Sequence, residues 1–117
     1  MKKLLLVLCC IFCGDMSAFA CETYDYESIT INIDASVGLT DSKLTPANSA
    51  MPESALITFE TAQSRFRTDG SSPTASEGHL TEIGDKIEVT GRGDMQRLAI
   101  ISTHATSSGT AKVSYCR

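Results

Sequence analysis

Two cysteines near opposite ends of this chain do most to restrict its fold. Cys21 follows directly on a segment organised like an export signal, and Cys116 is the penultimate residue. If both remain in the mature protein, a bond between them closes nearly the whole domain into one loop. In an oxidising compartment two cysteines in so small a domain are expected to pair. On the chain-entropy picture, closing a loop of about 100 residues stabilises by about 4.7 kcal/mol, less whatever strain and residual unfolded structure remove. Pairing between molecules and a free thiol are the competing fates.

The first twenty residues divide into the regions of a signal peptide. Lys2 and Lys3 supply the positive start, Leu4 to Phe12 the apolar run, and Ala18-Phe19-Ala20 a small-x-small cleavage site before Cys21. The apolar run is too short to span a bilayer, which takes about 20 residues. Residues 1–20 are therefore read as a cleaved signal and residues 21–117 as a single domain that is periplasmic or extracellular, with no membrane span. A cysteine directly after the cut raises the alternative of a lipid anchor through Cys21. The places before it hold Ala18 and Phe19, where lipoprotein signals put a branched aliphatic and a small residue.

The mature part has 97 residues, enough for one compact domain. Without Lys2, Lys3 and Asp15 it keeps eight basic and thirteen acidic residues, a net charge of −5. An acidic surface argues against nucleic acid or anionic lipid as a partner, since both call for a basic face. Solubility of an exported domain is the simpler use of that charge.

The body of the chain reads as strands. Ile29 to Asp34 alternates apolar and polar residues without error and is rich in β-branched side chains. Val37 to Glu53, with Gly38, Pro46 and Pro52, is expected to be a long connection holding a short edge strand near Lys43. Ala55 to Glu60 alternates again, with Ala55, Ile57 and Phe59 facing one way. Ser64 to Thr68 places Phe66 inward between Arg65 and Arg67, and Asp69-Gly70 is a strong turn pair. Short strands are expected at His79 to Glu82 and Lys86 to Thr90, with a turn at Gly91 to Asp94. Leu98 to Ser102 reads as a strand buried on both sides, and Ser107-Ser108-Gly109 turns into a last strand, Thr110 to Cys116. The only helical signal is one turn over Asp94 to Leu98. About seven short antiparallel strands with turns at close intervals indicate an all-β sandwich. In the last strand Ala111, Val113 and Tyr115 share the core face, which turns Cys116 outward. The bridge is then expected to clip the Cys21 end, with Tyr24 and Tyr26, over an outer surface.

The run Ile57-Thr58-Phe59-Glu60, then Arg65-Phe66-Arg67-Thr68-Asp69-Gly70-Ser71-Ser72-Pro73-Thr74-Ala75, with Ala99-Ile100 and Val113-Ser114-Tyr115, resembles chitobiase C-terminal-like, immunoglobulin-like sandwich modules. Phe66 and Thr68 depart slightly from the spacing of those modules. A closer resemblance is to small structural proteins of tailed phages and prophages, which share Arg65 to Gly70, Pro73-Thr74-Ala75, Gly78-His79, Gly84-Asp85 and the final Tyr115. It covers about Ala55 to Arg117, and such phage proteins normally lack an export signal. Both resemblances imply an immunoglobulin-like or jelly-roll-like scaffold without catalytic residues, used for attachment, packing or recognition.

Chemistry-bearing constellations are sparse. His79 and His104 sit in separate elements with no metal-ligand spacing, and no Gly-x-Ser-x-Gly nucleophile elbow is present. Arg92-Gly93-Asp94 spells an adhesion tripeptide, yet a three-residue match with ordinary turn chemistry carries little weight. Glu22, Asp25, Glu27, Asp34 and Asp41 lack the dense spacing of a calcium loop and read as a solvated face. Tyr24 and Tyr26 either stack on a sugar or partner protein or cover the core once the bridge is made. Arg65 and Arg67 share a strand face that suits an anionic group, and cross-strand pairing with Glu60 or Glu88 is the simpler assignment. No catalytic residue, metal or cofactor is expected. The expected function is that of a non-enzymatic exported structural or interaction protein, a subunit or decoration of an extracellular or phage-derived assembly that binds a protein partner or itself. The alternatives are a carbohydrate-binding accessory module, with a glycan as ligand, and a periplasmic inhibitor or immunity-type protein.

Overall fold

The computed structural model describes residues 21–47, 49–104 and 108–117. The segment expected to be an export signal, with its expected cleavage position at Ala20, and Ser107 of the expected last turn lie outside the described residues. The described elements are β1 (Thr23–Ile31), α1 (Asp41–Leu44), β2 (Ser54–Glu60), β3 (Ser64–Arg67), β4 (His79–Thr81), β5 (Lys86–Thr90), α2 (Arg92–Arg97), β6 (Ala99–Ser102) and β7 (Gly109–Cys116). The strands form two antiparallel sheets, one in the order β1-β7-β2-β5 and the other in the order β4-β3-β6. This is an all-β sandwich of seven strands, as the alternation pattern predicts. No helix among the described residues is long and apolar enough to cross a membrane.

Register explains how the core fills. Across the four-stranded sheet Tyr115 stands beside Ala55, and Phe59 beside Ala111, so each large ring lies next to a methyl group. Ile57 and Val113 complete the middle row, and all six side chains are fully buried. Alternating large and small side chains in this way fills the layer without voids. On the facing sheet Phe66 packs 6.4 Å from Phe59, ring to ring. The next row of that sheet is small and polar: Thr81, Ser64 and Ser102 are all buried. Thr81 Oγ1 donates to the Ser64 carbonyl and Ser64 Oγ to the Ala62 carbonyl, which offsets the cost of burying those hydroxyls. Between the sheets the chain turns at Thr61, whose φ of 68° is unusual for a β-branched residue, and buries Ala62.

Five local expectations are corrected. The first strand begins at Thr23 and ends at Ile31, so Asn32 to Asp34 leave the sheet. Its start was hidden because Asp25 and Glu27 occupy the inward positions in step with Ile29 and Ile31. Near Lys43 the chain makes the helical turn α1 and no strand; Leu44 buries its side chain there. Arg92 to Asp94 opens α2, where a turn was expected, because Met95 anchors the segment in the core. β6 is buried on one face only: Ile100 and Ser102 face in, while Ala99 and Ile101 remain half-buried. Its free edge is closed by the segment after β1, since Val37 and Ile100 exchange backbone hydrogen bonds and Ser102 N–H donates to Asn32.

The fifth correction concerns the cysteines. Cys21 and Cys116 form a disulfide with Cα atoms 4.9 Å apart, closing a separation of 95 residues. Cys116 leaves its strand on the face opposite Tyr115, yet it is buried, because β7 is an interior strand and the bridge covers it. The Cys21 end is not laid over the sandwich. It continues into β1 and pairs edge-on, Thr23 against Cys116.

Candidate functional site

Between β3 and β4 the chain makes a long loop, and nearly every residue of the Arg65-to-Gly78 motif holds it in shape. Arg65 donates from Nε to the Ala75 carbonyl (3.0 Å) and from Nη1 to the Gly78 carbonyl (2.8 Å). Neither Glu60 nor Glu88 pairs with Arg65 or Arg67, which overturns the cross-strand assignment: the loop carbonyls and Asp69 are nearer partners. Arg67 makes a two-pronged contact with Asp69, whose Oδ1 also accepts the Ser71 N–H at 3.1 Å. The Arg67 guanidinium, first, and the Ser71 N–H, second, hold the Asp69 carboxyl down at about 2. Thr74 Oγ1 accepts the backbone N–H groups of Ser76 and Glu77, a local turn within the loop. Gly78, at φ 121°, passes so close to β3 that an added Cβ would stand 3.0 Å from the Phe66 carbonyl and 3.1 Å from Pro73. From α2, Arg97 Nε donates to the Thr68 carbonyl at 3.1 Å.

This frame borders an open concavity of about 360 Å³ lined by Arg67, Thr68, Asp69, Glu77, Gly78 and His79. The His79 ring lies against Phe66, with ring centroids 5.2 Å apart. Of the two arginines singled out by sequence, Arg67 reaches this concavity and Arg65 supports it from behind. Glu77 was not among the expected site residues. Its only sequence signal is its position just before Gly78, where the loop returns to the sheet.

Tyr24 and Tyr26 do not act as a pair. The pairing of β1 with β7 steps from Thr23 and Cys116 to Asp25 and Tyr115, so Tyr24 is the extra residue of a bulge. Its ring packs on the core with the Arg117 guanidinium 3.8 Å above its centroid, and its buried hydroxyl has no partner among the described residues. Tyr26 faces solvent and is 52 % exposed. The core-covering role falls to Tyr24 alone.

Of the five acidic residues expected to form a solvated face, Glu22, Asp34 and Asp41 are exposed, while Asp25 and Glu27 enter a polar cluster that closes this end of the sandwich. Glu27 accepts hydrogen bonds from Tyr115 Oη, Thr40 Oγ1 and Thr40 N–H. Asp25 pairs with Lys43 Nζ at 2.8 Å, half exposed. The bond from Lys43, then the Tyr26 N–H, hold the Asp25 carboxyl below its ordinary range, and Asp25 in turn raises Lys43. Burial, and then the bond to Glu27, push Tyr115 well above the ordinary tyrosine range. The cluster fastens α1 to β1 and keeps both partners of the ion pair charged. Among the described residues no group of three histidine, cysteine or carboxylate side chains is placed to hold a metal ion. Arg92-Gly93-Asp94 lies in α2, where Asp94 pairs with Arg97.

Among the described residues exposed large apolar side chains are few: Tyr26, Leu80 at 47 % and Ile83 at 63 %. Leu80 lies on β4, next to His79 of the concavity, and Ile83 lies beyond the other end of that strand. No protein-family model, curated protein or solved structure matches the chain.

Proposed function

We propose that this chain is an exported, non-enzymatic interaction subunit that docks on a larger extracellular or phage-derived assembly through the β4 edge of its three-stranded sheet. The supporting observation is how unequally the four sheet edges are guarded. β1 carries a bulge at Tyr24 and two inward carboxylates, β5 exposes Lys86 and Glu88, and β6 is closed by Val37. Bulges, charges and covering segments are the devices by which strand edges avoid unwanted pairing. β4 presents Leu80, and Ile83 lies just beyond it, past Glu82. Exposed apolar side chains at the edge of an otherwise acidic domain mark a contact surface. The resemblance to phage structural proteins points the same way.

The test compares the mature protein with a Leu80→Glu, Ile83→Glu double variant by light scattering over a range of concentrations and by fractionation of producing cells and their particles. Association lost in the double variant supports the reading. A wild-type protein that stays monomeric and accompanies no filament, capsid or surface structure overturns it. Carbohydrate recognition is a second reading, favoured by the loop-framed concavity beside β4.

A further inference from the structure

The geometry points to the β3–β4 concavity as a subsite for one neutral sugar ring, held through a vicinal pair of hydroxyls. The inference rests on the carbohydrate reading and is independent of docking through β4. Three observations converge on it.

The first is pre-organisation. The loop is held by Arg65 on two carbonyls, by Asp69 on Ser71 N–H, by Thr74 on two N–H groups and by Arg97 on the Thr68 carbonyl. A ligand entering such a site pays little to order it, which favours weak, small ligands that cannot reorganise a loop.

The second is the arrangement of polar groups. Glu77 and His79 use no side-chain hydrogen bond in the fold among the described residues; the His79 ring only rests on Phe66. Arg67 has two of its donors engaged by Asp69. The lining thus combines guanidinium donors with the carboxylate acceptor of Glu77. Adjacent hydroxyls of a pyranose, each both donor and acceptor, match such a mixed set. The apolar face of such a ring can lie against the imidazole, which Phe66 holds in place.

The third is charge. Arg67 is balanced by Asp69, and Glu77 leaves the lining with one net negative charge. An anion meets two carboxylates, and a cation meets a guanidinium. An apolar ligand would strip water from five charged or polar side chains with nothing to replace it. The neutral polyhydroxy class remains. The volume, about 360 Å³, lies at the small end of ligand sites and fits a single ring.

The test titrates uniformly ¹⁵N-labelled mature protein with methyl α-mannopyranoside, methyl β-glucopyranoside and methyl β-galactopyranoside, and separately with sodium phosphate. Amide shifts are followed at Thr68, Asp69, Gly78 and His79. The expected result is a saturable response to at least one glycoside, weakened about tenfold in Glu77→Gln, the loss of one charged hydrogen bond. Glu77→Gln should move the unfolding midpoint little, because the Glu77 side chain makes no hydrogen bond in the fold among the described residues and acts there only through the field it adds at Arg67. No saturable response to any glycoside, a response that Glu77→Gln leaves intact, or a stronger response to phosphate at the same amides overturns the inference. Retention on insoluble polysaccharide without a response at these amides keeps the carbohydrate reading and removes this site. Absence of both removes the two together.

Discussion

Tyr115 donates its phenolic hydrogen to Glu27, a carboxylate standing diagonally across from it on the inner face of the neighbouring strand. Tyr24, one strand away at the same end, buries a hydroxyl without a partner. Two tyrosines in one neighbourhood thus carry opposite energetic signs.

Removing the Tyr115 hydroxyl takes a donor from a carboxylate, and removing that of Tyr24 relieves an unpaired polar group. Tyr115→Phe should destabilise by about 1.5–3 kcal/mol, and Tyr24→Phe should be neutral or stabilising. Urea unfolding of the two variants beside the wild type checks the contrast. Equal losses in both would show that ring packing, which each variant keeps, is not the shared term and that Tyr24 Oη has a partner in solution.

Acid should loosen the protein in two places. Asp25 and Asp69 both ionise at lower pH folded than unfolded, where aspartate titrates at about 3.9. Their contribution is complete above that value and is lost as pH falls through the folded values, about 2 for Asp69. Unfolding midpoints measured between pH 5 and pH 2, each about a unit apart, should fall less steeply in Asp25→Asn than in the wild type.

Alkali acts through Tyr115. Its folded ionisation is raised, so its contribution is intact below about pH 10, where unfolded tyrosine titrates, and is lost as pH rises beyond that. Tyr115→Phe, measured over the same alkaline range, should lack this limb of the stability profile.

Opening the bridge should cost about 2–4 kcal/mol, the usual worth of a native disulfide. A Cys21→Ser, Cys116→Ser double variant, unfolded in urea, should show this loss, and reductant should then have no further effect on it. Reductant should lower the wild-type midpoint toward that of the variant. A wild type indifferent to reductant and a variant of equal stability would contradict the Cys21–Cys116 pairing.

Gly78 and Gly84 separate crowding from backbone conformation. Both have φ near or above 90°, but a Cβ at Gly84 would meet nothing within 4 Å, whereas at Gly78 it would strike the Phe66 carbonyl and Pro73. Gly84→Ala should cost about 1 kcal/mol and Gly78→Ala clearly more. Hydrogen exchange should place the larger loss in the β3–β4 loop.

The parts of the fold most legible in the chain are those where one face is wholly apolar. β2, β5 and β7 follow from the alternation of Ala55-Ile57-Phe59, Ile87-Val89 and Ala111-Val113-Tyr115. β3, β4 and β6 are legible as well, although each buries a hydroxyl, Ser64, Thr81 or Ser102; it is inward carboxylates that break the pattern. Asp25 and Glu27 concealed the start of β1, because the groups that satisfy them, Lys43, Thr40 and Tyr115, come from distant parts of the chain. α1 and α2 are too short for a helical period and depend on single anchors, Leu44 and Met95. At the candidate site Arg67 was legible as one of two arginines on a strand face. Its companions Glu77 and His79 reach it only because the loop returns, a matter of closure that local residue patterns do not encode.

The disulfide has a mechanical consequence. With Cα atoms 4.9 Å apart, Cys21 and Cys116 bring the two ends of the domain to one point. Tension applied between Cys21 and Arg117 passes through a covalent bond and leaves the strands unsheared. Pulled at its ends, the domain yields almost no length until the sulfur–sulfur bond is reduced.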